Sequence, residues 1–214
     1  MIAVVDYCKG NLKSVERGLV AVGGEACITD DPAVIAAADA IVLPGVGAFG
    51  EAAYTMQQTG QMEVIRAAIE RGVPFLGICL GEHLMFAEGT EGAEGEELAR
   101  GLGVIPGVVD RMPATDAQGA AYKVPHVGWN SIEFDANTDC PLLEGIEPGE
   151  YFYFTHSFIA PQSAATVATT THSVEFPSVV RCGKVAYGVQ FHPEKSSDAG
   201  AKLLANFLRI VESE

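Results

Sequence analysis

Four short apolar runs, "IAVVD" (2–6), "EACIT" (25–29), "AIVLPG" (40–45) and "VPFLGIC" (73–79), alternate with longer stretches of helical period. This alternation constrains the fold more than any other feature of the chain. Strands that are apolar along their whole length need cover on both faces, and strands joined by helices run parallel. The pattern therefore predicts an α/β fold with a central, mostly parallel sheet and helices on both faces. Residues 11–22 read as an amphipathic helix with Asn11 near its start, and residues 48–71 as one or two helices.

The second half changes character. "LGVIPGVVDRM", "WNSIEF", "YFYFTHSF", "ATVATTTH", "PSVVRCG" and "VAYGVQFH" are short, β-rich and punctuated by turn residues, which predicts a mixed or antiparallel β extension. A closing helix over 198–212 carries Leu203, Leu204, Phe207 and Leu208 on one face. "EGTEGAEGEE" (88–97) reads as a solvated acidic loop. At 214 residues the chain fits a single domain over 1–214.

A formal charge of −15, from 28 acidic and 13 basic side chains, argues against binding to nucleic acid or anionic membranes. No run is long and apolar enough to span a bilayer. "MIAVVDY" has neither a basic leader nor a cleavage site, so a cytoplasmic protein is expected. Cysteines at 8, 27, 79, 140 and 182 are odd in number and lack CxxC spacing, which favours thiols over bridges or zinc. "GEH" lacks the HExxH spacing, so no metal is expected, and no cofactor.

Cys79 stands apart from the other cysteines. It lies where the fourth apolar run ends, and ligands of parallel sheets collect at the carboxyl ends of strands. Gly77-Ile78-Cys79-Leu80-Gly81 has the form of a nucleophile elbow, a tight strand-to-helix turn that presents its central side chain. A helix starting there favours the reactive thiolate through its dipole. Buried cysteines are more often core filling, so the motif needs a base. In "VQFHPEKSS" (189–197), His192 and Glu194 point to one side of an extended segment that Pro193 holds. A carboxylate so placed orients an imidazole toward a thiol; a surface ion pair is the alternative. "LPGVGAF" (43–49) ends another strand, and Gly45, Val46 and Gly47 can turn backbone N–H groups toward an oxyanion. The loop lacks P-loop and GxGxxG spacing, which leaves phosphate binding the weaker choice.

With GICLG, PGVG and a distant HPE, the chain resembles the class I, triad-type glutamine amidotransferases over nearly its whole length. "PGVGAF", "VPHVGWN" (124–130), "YFYFTHSF" (151–158), "HPEKSS" and the opening "VVDYCKGNLKSV" are similar to the branch that serves imidazole glycerol phosphate synthase. The resemblance implies that glutamine is hydrolysed through a cysteine thioester. Its ammonia would pass to a separate (β/α)8 cyclase subunit, in a heterodimer of histidine biosynthesis. It implies Cys79 as nucleophile, His192 as general base and acid, and Glu194 as orienter. Gly45, Val46 and Gly47 would form an oxyanion strand that the partner rearranges, with Leu80 supplying a second N–H. His156, Ser157 and Phe158 would line the glutamine pocket. His126, Trp129, Asn130, Tyr153 and Lys195 would face the cyclase; Trp129 as core and Lys195 as a solvated charge are their plain alternatives.

The chain departs from the family in two places. His83 stands where a glutamine is usual, four residues after the nucleophile, and an i to i+4 step brings it to the face of the elbow. It can there hydrogen-bond a substrate carboxylate or amide. Phe158 replaces a common tyrosine. A glutaminase serving another synthase is the first alternative, disfavoured by "VPHVGWN" and "YFYFTHSF". A cysteine peptidase on a similar scaffold is the second, and a non-catalytic binding subunit, motivated by His83, the third.

Overall fold

β1 (Ile2–Val5) is buried at every position, as a strand covered on both faces must be. The computed structural model describes residues 1–8, 10–94 and 97–214, and β1 lies inside its seven-stranded sheet. β2 (Ala26–Thr29), β3 (Ala40–Gly45) and β4 (Phe75–Cys79) complete the first-half strands, with α1 (Leu12–Ala21), α3 (Phe49–Gln58) and α4 (Gln61–Glu70) between them. Residues 48–71 thus form two helices, parted at Thr59 and Gly60. A short helix, α2 (Pro32–Ala36), was not anticipated, although "DDPAV" encodes it. Asp31 accepts from the Ala33 amide and Pro32 needs no amide partner at the first turn.

The second half does not form one continuous extension. β11 (Thr166–Thr171), β12 (Glu175–Cys182) and β13 (Ala186–Val189) join the central sheet, whose order is β11-β12-β13-β4-β3-β1-β2. β13 pairs parallel to β4, whereas β12 and β11 are antiparallel additions. β8 (His126–Ser131) and β9 (Tyr151–His156) make a separate antiparallel ribbon. A further sheet has the order β10-β7-β5-β6, built from β5 (Phe86–Glu94), β6 (Glu97–Arg100), β7 (Ile105–Arg111) and β10 (Phe158–Ile159). The predicted acidic loop is therefore two strands, with residues 95 and 96 outside the described set. Gly89 serves packing: a Cβ there would meet the Phe49 ring at 2.6 Å.

Two apolar cores sandwich the central sheet. One contains α1, β9 and α6 (Ser197–Ser213), with Leu203, Leu204 and Phe207 buried against Val4, Val42 and Ile78. The other holds α3 and α4 against Ala3, Val5, Ile41 and Leu43. No helix is long and apolar enough to cross a membrane, and no metal-binding cluster of His, Cys, Asp and Glu occurs among the described residues.

Candidate active site

β4 and β3 end side by side, with Cys79 paired to Gly45. Cys79 then turns into α5 (Leu80–His83), a single helical turn, with φ 55° and ψ −106°. A residue with a Cβ adopts that conformation at a cost of about 1–3 kcal/mol, and such strain concentrates at functional sites. The flanking glycines make the bend possible. A Cβ on Gly81 would lie 1.7 Å from the Leu43 carbonyl oxygen, and one on Gly77 would lie 2.5 Å from that of Gly81. The buried Cys79 thiol faces the Thr155 carbonyl on β9 at 3.9 Å, and its sulfur accepts from Gln190 Nε2 at 3.7 Å.

His192 follows β13, the strand beside β4. Its backbone is extended, but Pro193–Lys195 winds into a 3-10 turn, so the expected extended segment stops at His192. The turn still delivers the pair: His192 Nδ1 donates to Glu194 Oε1 at 2.9 Å, with both side chains almost wholly buried. Burial pulls the imidazole's pKa down; the Cys79 sulfur and the Glu194 carboxylate outweigh it and lift the value to about 10. With Nδ1 committed to Glu194, Nε2 is the nitrogen left for the sulfur, and it has no other hydrogen-bond partner among the described residues.

A cavity of about 370 Å³ opens above this group, lined by Cys79, Leu80, Val46, Gly47, His83, Glu91, His156, Ser157 and Phe158. A larger cleft of about 620 Å³ lies at the amino ends of the strands, where Cys182 has no imidazole beside it among the described residues. Val46 and Gly47 reach the cavity; Gly45 does not, and a Cβ there would collide with the Tyr7 hydroxyl. His156 is fixed by donating from Nδ1 to the Phe158 carbonyl, and its Nε2 faces His126 Nδ1 at 3.0 Å.

His83 is buried, and its Nε2 lies 2.7 Å from Gln190 Oε1. An amide oxygen only accepts, so Nε2 carries the proton. Burial lowers the ring's pKa to about 4, against the Gln190 bond that raises it. The neutral ring is left with Nδ1 as its acceptor. It can receive an amide or ammonium proton, and while Nε2–H is held by Gln190 it has no N–H to offer a substrate carboxylate.

The residues expected to face a partner divide into two groups. Trp129 is exposed and packs edge-on against Tyr153, over whose ring Lys195 Nζ sits at 5.9 Å. Val127 and Tyr151 extend this exposed face on the same ribbon. His126 is buried beneath it, stacked on His172, and Asn130 bonds to the Thr171 carbonyl.

Sequence reasoning missed three residues. Gln190 touches both Cys79 and His83 but lay unnoticed inside "VQFHPE". Glu91 is the cavity's only carboxylate among the described residues; it accepts from the Phe49 amide, and burial raises its pKa. It was hidden in the supposed loop. Glu82 is fully buried under the elbow with both carboxyl oxygens unpartnered among the described residues. Burial, then the Cys79 charge, pushes its pKa well above the ordinary range.

A cysteine on a strained elbow beside a buried His–Glu pair defines a thiol-dependent hydrolase or transferase site on an α/β sheet. The sequence profile of the family described as "Glutamine amidotransferase class-I" matches residues 3–211, and the chain belongs to that family. "Imidazole glycerol phosphate synthase subunit HisH" from Geobacillus sp. is 41% identical over 100% of this chain and 99% of its own length. The protein of the same description from Moorella thermoacetica is 44% identical over 98% and 95%. Among solved structures, a glutamine amidotransferase superimposes with a TM-score of 0.73 at 19% identity, covering 99% of this chain and 100% of the other. PurLQS from Thermotoga maritima gives 0.71 at 19%, covering 97% of each, and both likenesses concern the fold.

Proposed function

We propose that the chain, as a single domain, is the cytoplasmic glutaminase subunit of an imidazole glycerol phosphate synthase and works as a heterodimer with a (β/α)8 cyclase. The observation that carries the chemistry is Cys79 on its elbow, backed by the buried His192–Glu194 pair. Cys79 attacks the glutamine carboxamide after its proton passes to His192. The imidazolium, held by Glu194, then gives that proton to the leaving ammonia. Backbone N–H groups at Leu80 and along Val46–Gly47 receive the oxyanion. Water, deprotonated by His192, releases glutamate from the thioester. Glu91 holds the substrate ammonium, the Nδ1 of His83 accepts from the substrate, and His156, Ser157 and Phe158 complete the wall.

Glutamate release by the purified chain, alone and with a cyclase subunit and its nucleotide ligand, tests this reading. Strong stimulation by the cyclase is the expected result, and absence of turnover in both states overturns it. Glu194→Gln is expected to lower kcat by about 10³–10⁴-fold, because the amide no longer holds the imidazolium. A steady-state assay of the complex measures that loss. For the partner, the exposed ring of Trp129 is the anchor. Trp129→Ala is expected to weaken association by about 2 kcal/mol, roughly 30-fold in Kd, read by titration calorimetry.

A further inference from the structure

The Cys79 sulfur accepts a side-chain hydrogen bond from the Gln190 amide at 3.7 Å, and the same amide is gripped at its oxygen by His83 at 2.7 Å. Resting on the glutaminase reading, we infer that Gln190 is a positioning residue: it holds the Cys79 sulfur with a fixed N–H donor, and His83 sets which way its amide faces. The three groups stand on adjacent elements. Cys79 precedes the single turn of α5, His83 ends it, and Gln190 follows β13. All are buried, so water does not replace a lost contact.

The direction of the bonds follows from chemistry. Gln190 Oε1 cannot donate, so His83 must present Nε2–H to it, and the amide NH2 then points at sulfur. Flipping the amide would require the ring's other tautomer, with its proton on Nδ1, and would turn the acceptor oxygen in place of the NH2 toward the sulfur. Because burial keeps the His83 ring neutral down to about pH 4, the arrangement persists across the working range. When the thiol proton passes to His192, the Thr155 carbonyl loses its donor and becomes a repulsive neighbour of the thiolate. The Gln190 amide is then the neutral donor that stabilises the anion. His192, Glu82 and Tyr7 are the titratable groups that act electrostatically with Cys79, and of these only His192 is cationic. The histidine at position 83 thus acts on the nucleophile through Gln190, a role distinct from touching substrate.

The test is alkylation of Cys79 by iodoacetamide in the full-length chain, followed at that peptide by mass spectrometry from pH 5 to 10. Gln190→Met, of similar volume, is expected to slow alkylation about tenfold at neutral pH and to move the profile to higher pH, since a hydrogen bond to an ion is lost. His83→Leu, which frees the amide to turn, should move the profile the same way, and His83→Gln should restore it. Unchanged profiles in Gln190→Met and His83→Leu, with native melting temperatures, overturn the inference. If Gln190→Met fails to fold, the contrast between His83→Leu and His83→Gln decides. Alkylation needs no glutamine turnover. A wild-type chain inactive with cyclase would therefore sink the glutaminase reading and leave this comparison standing.

Discussion

Cys79→Ala is expected to lower glutamine-dependent synthesis by the assembled complex at least about 10⁴-fold, while synthesis from added ammonium salts continues at the wild-type rate. Members of a nucleophile–base unit act together, and removing the nucleophile leaves only the residual effects of binding and oxyanion contacts. Alanine keeps a Cβ, so the strained φ of 55° is retained and the elbow is not relaxed by the change. The small cavity left by sulfur lies beside the polar groups of Thr155, Gln190 and His192, at the edge of the core that Cys79 helps to fill. Assaying the two nitrogen sources side by side separates chemistry from assembly. Loss of both activities would mean that Cys79 holds the structure together, and retention of both would mean that another nucleophile works.

The parallel sheet and the elbow were legible because each rests on a local rule. Fully buried strands are apolar along their length, and a turn as tight as that at Cys79 requires glycine where Leu43 and Gly81 approach. His192 and Glu194 were legible as a pair through their spacing, although the 3-10 turn at Pro193 was not. What escaped was non-local. Residues 88–97 look like a loop by composition, and those described at 88–94 become strand because β7 lies beside them and Phe49 fills the space over Gly89. Gln190 takes its meaning from residues 107 and 111 positions away, contacts that no periodicity encodes. His126 and Trp129 lie three apart on one strand and so face opposite sides, one to the core and one to solvent. Motif membership could not make that division.

Glu82 gives the largest expected effect on stability. Its carboxyl is fully buried with both oxygens unpartnered among the described residues, its stem lies against Gly188, and burial holds its pKa well above the ordinary value of 4.5. The unfolded chain releases that proton above about pH 4.5, whereas the folded chain keeps it. Folding is therefore favoured least at high pH, and each unit of pH up to the folded pKa removes about 1.4 kcal/mol. His192, raised to about 10, also loses stability as pH climbs from 6.5. His83 and His126, both lowered to about 4, act oppositely below 6.5. Comparing the wild type with Glu82→Gln cancels these contributions, because the variant keeps all three histidines and cannot ionise at position 82. The expected result in denaturant unfolding is a stability difference that moves in the variant's favour as pH rises above about 4.5, by at most about 1.4 kcal/mol per pH unit. Glu82→Met, which buries no polar group, should gain a further constant amount at every pH. Parallel stability curves for wild type and Glu82→Gln would mean that Glu82 is ionised in the fold and paired there. A proton held at Glu82 keeps a second negative charge away from the Cys79 sulfur, so the same carboxyl that weakens the fold must stay neutral for the thiolate to form.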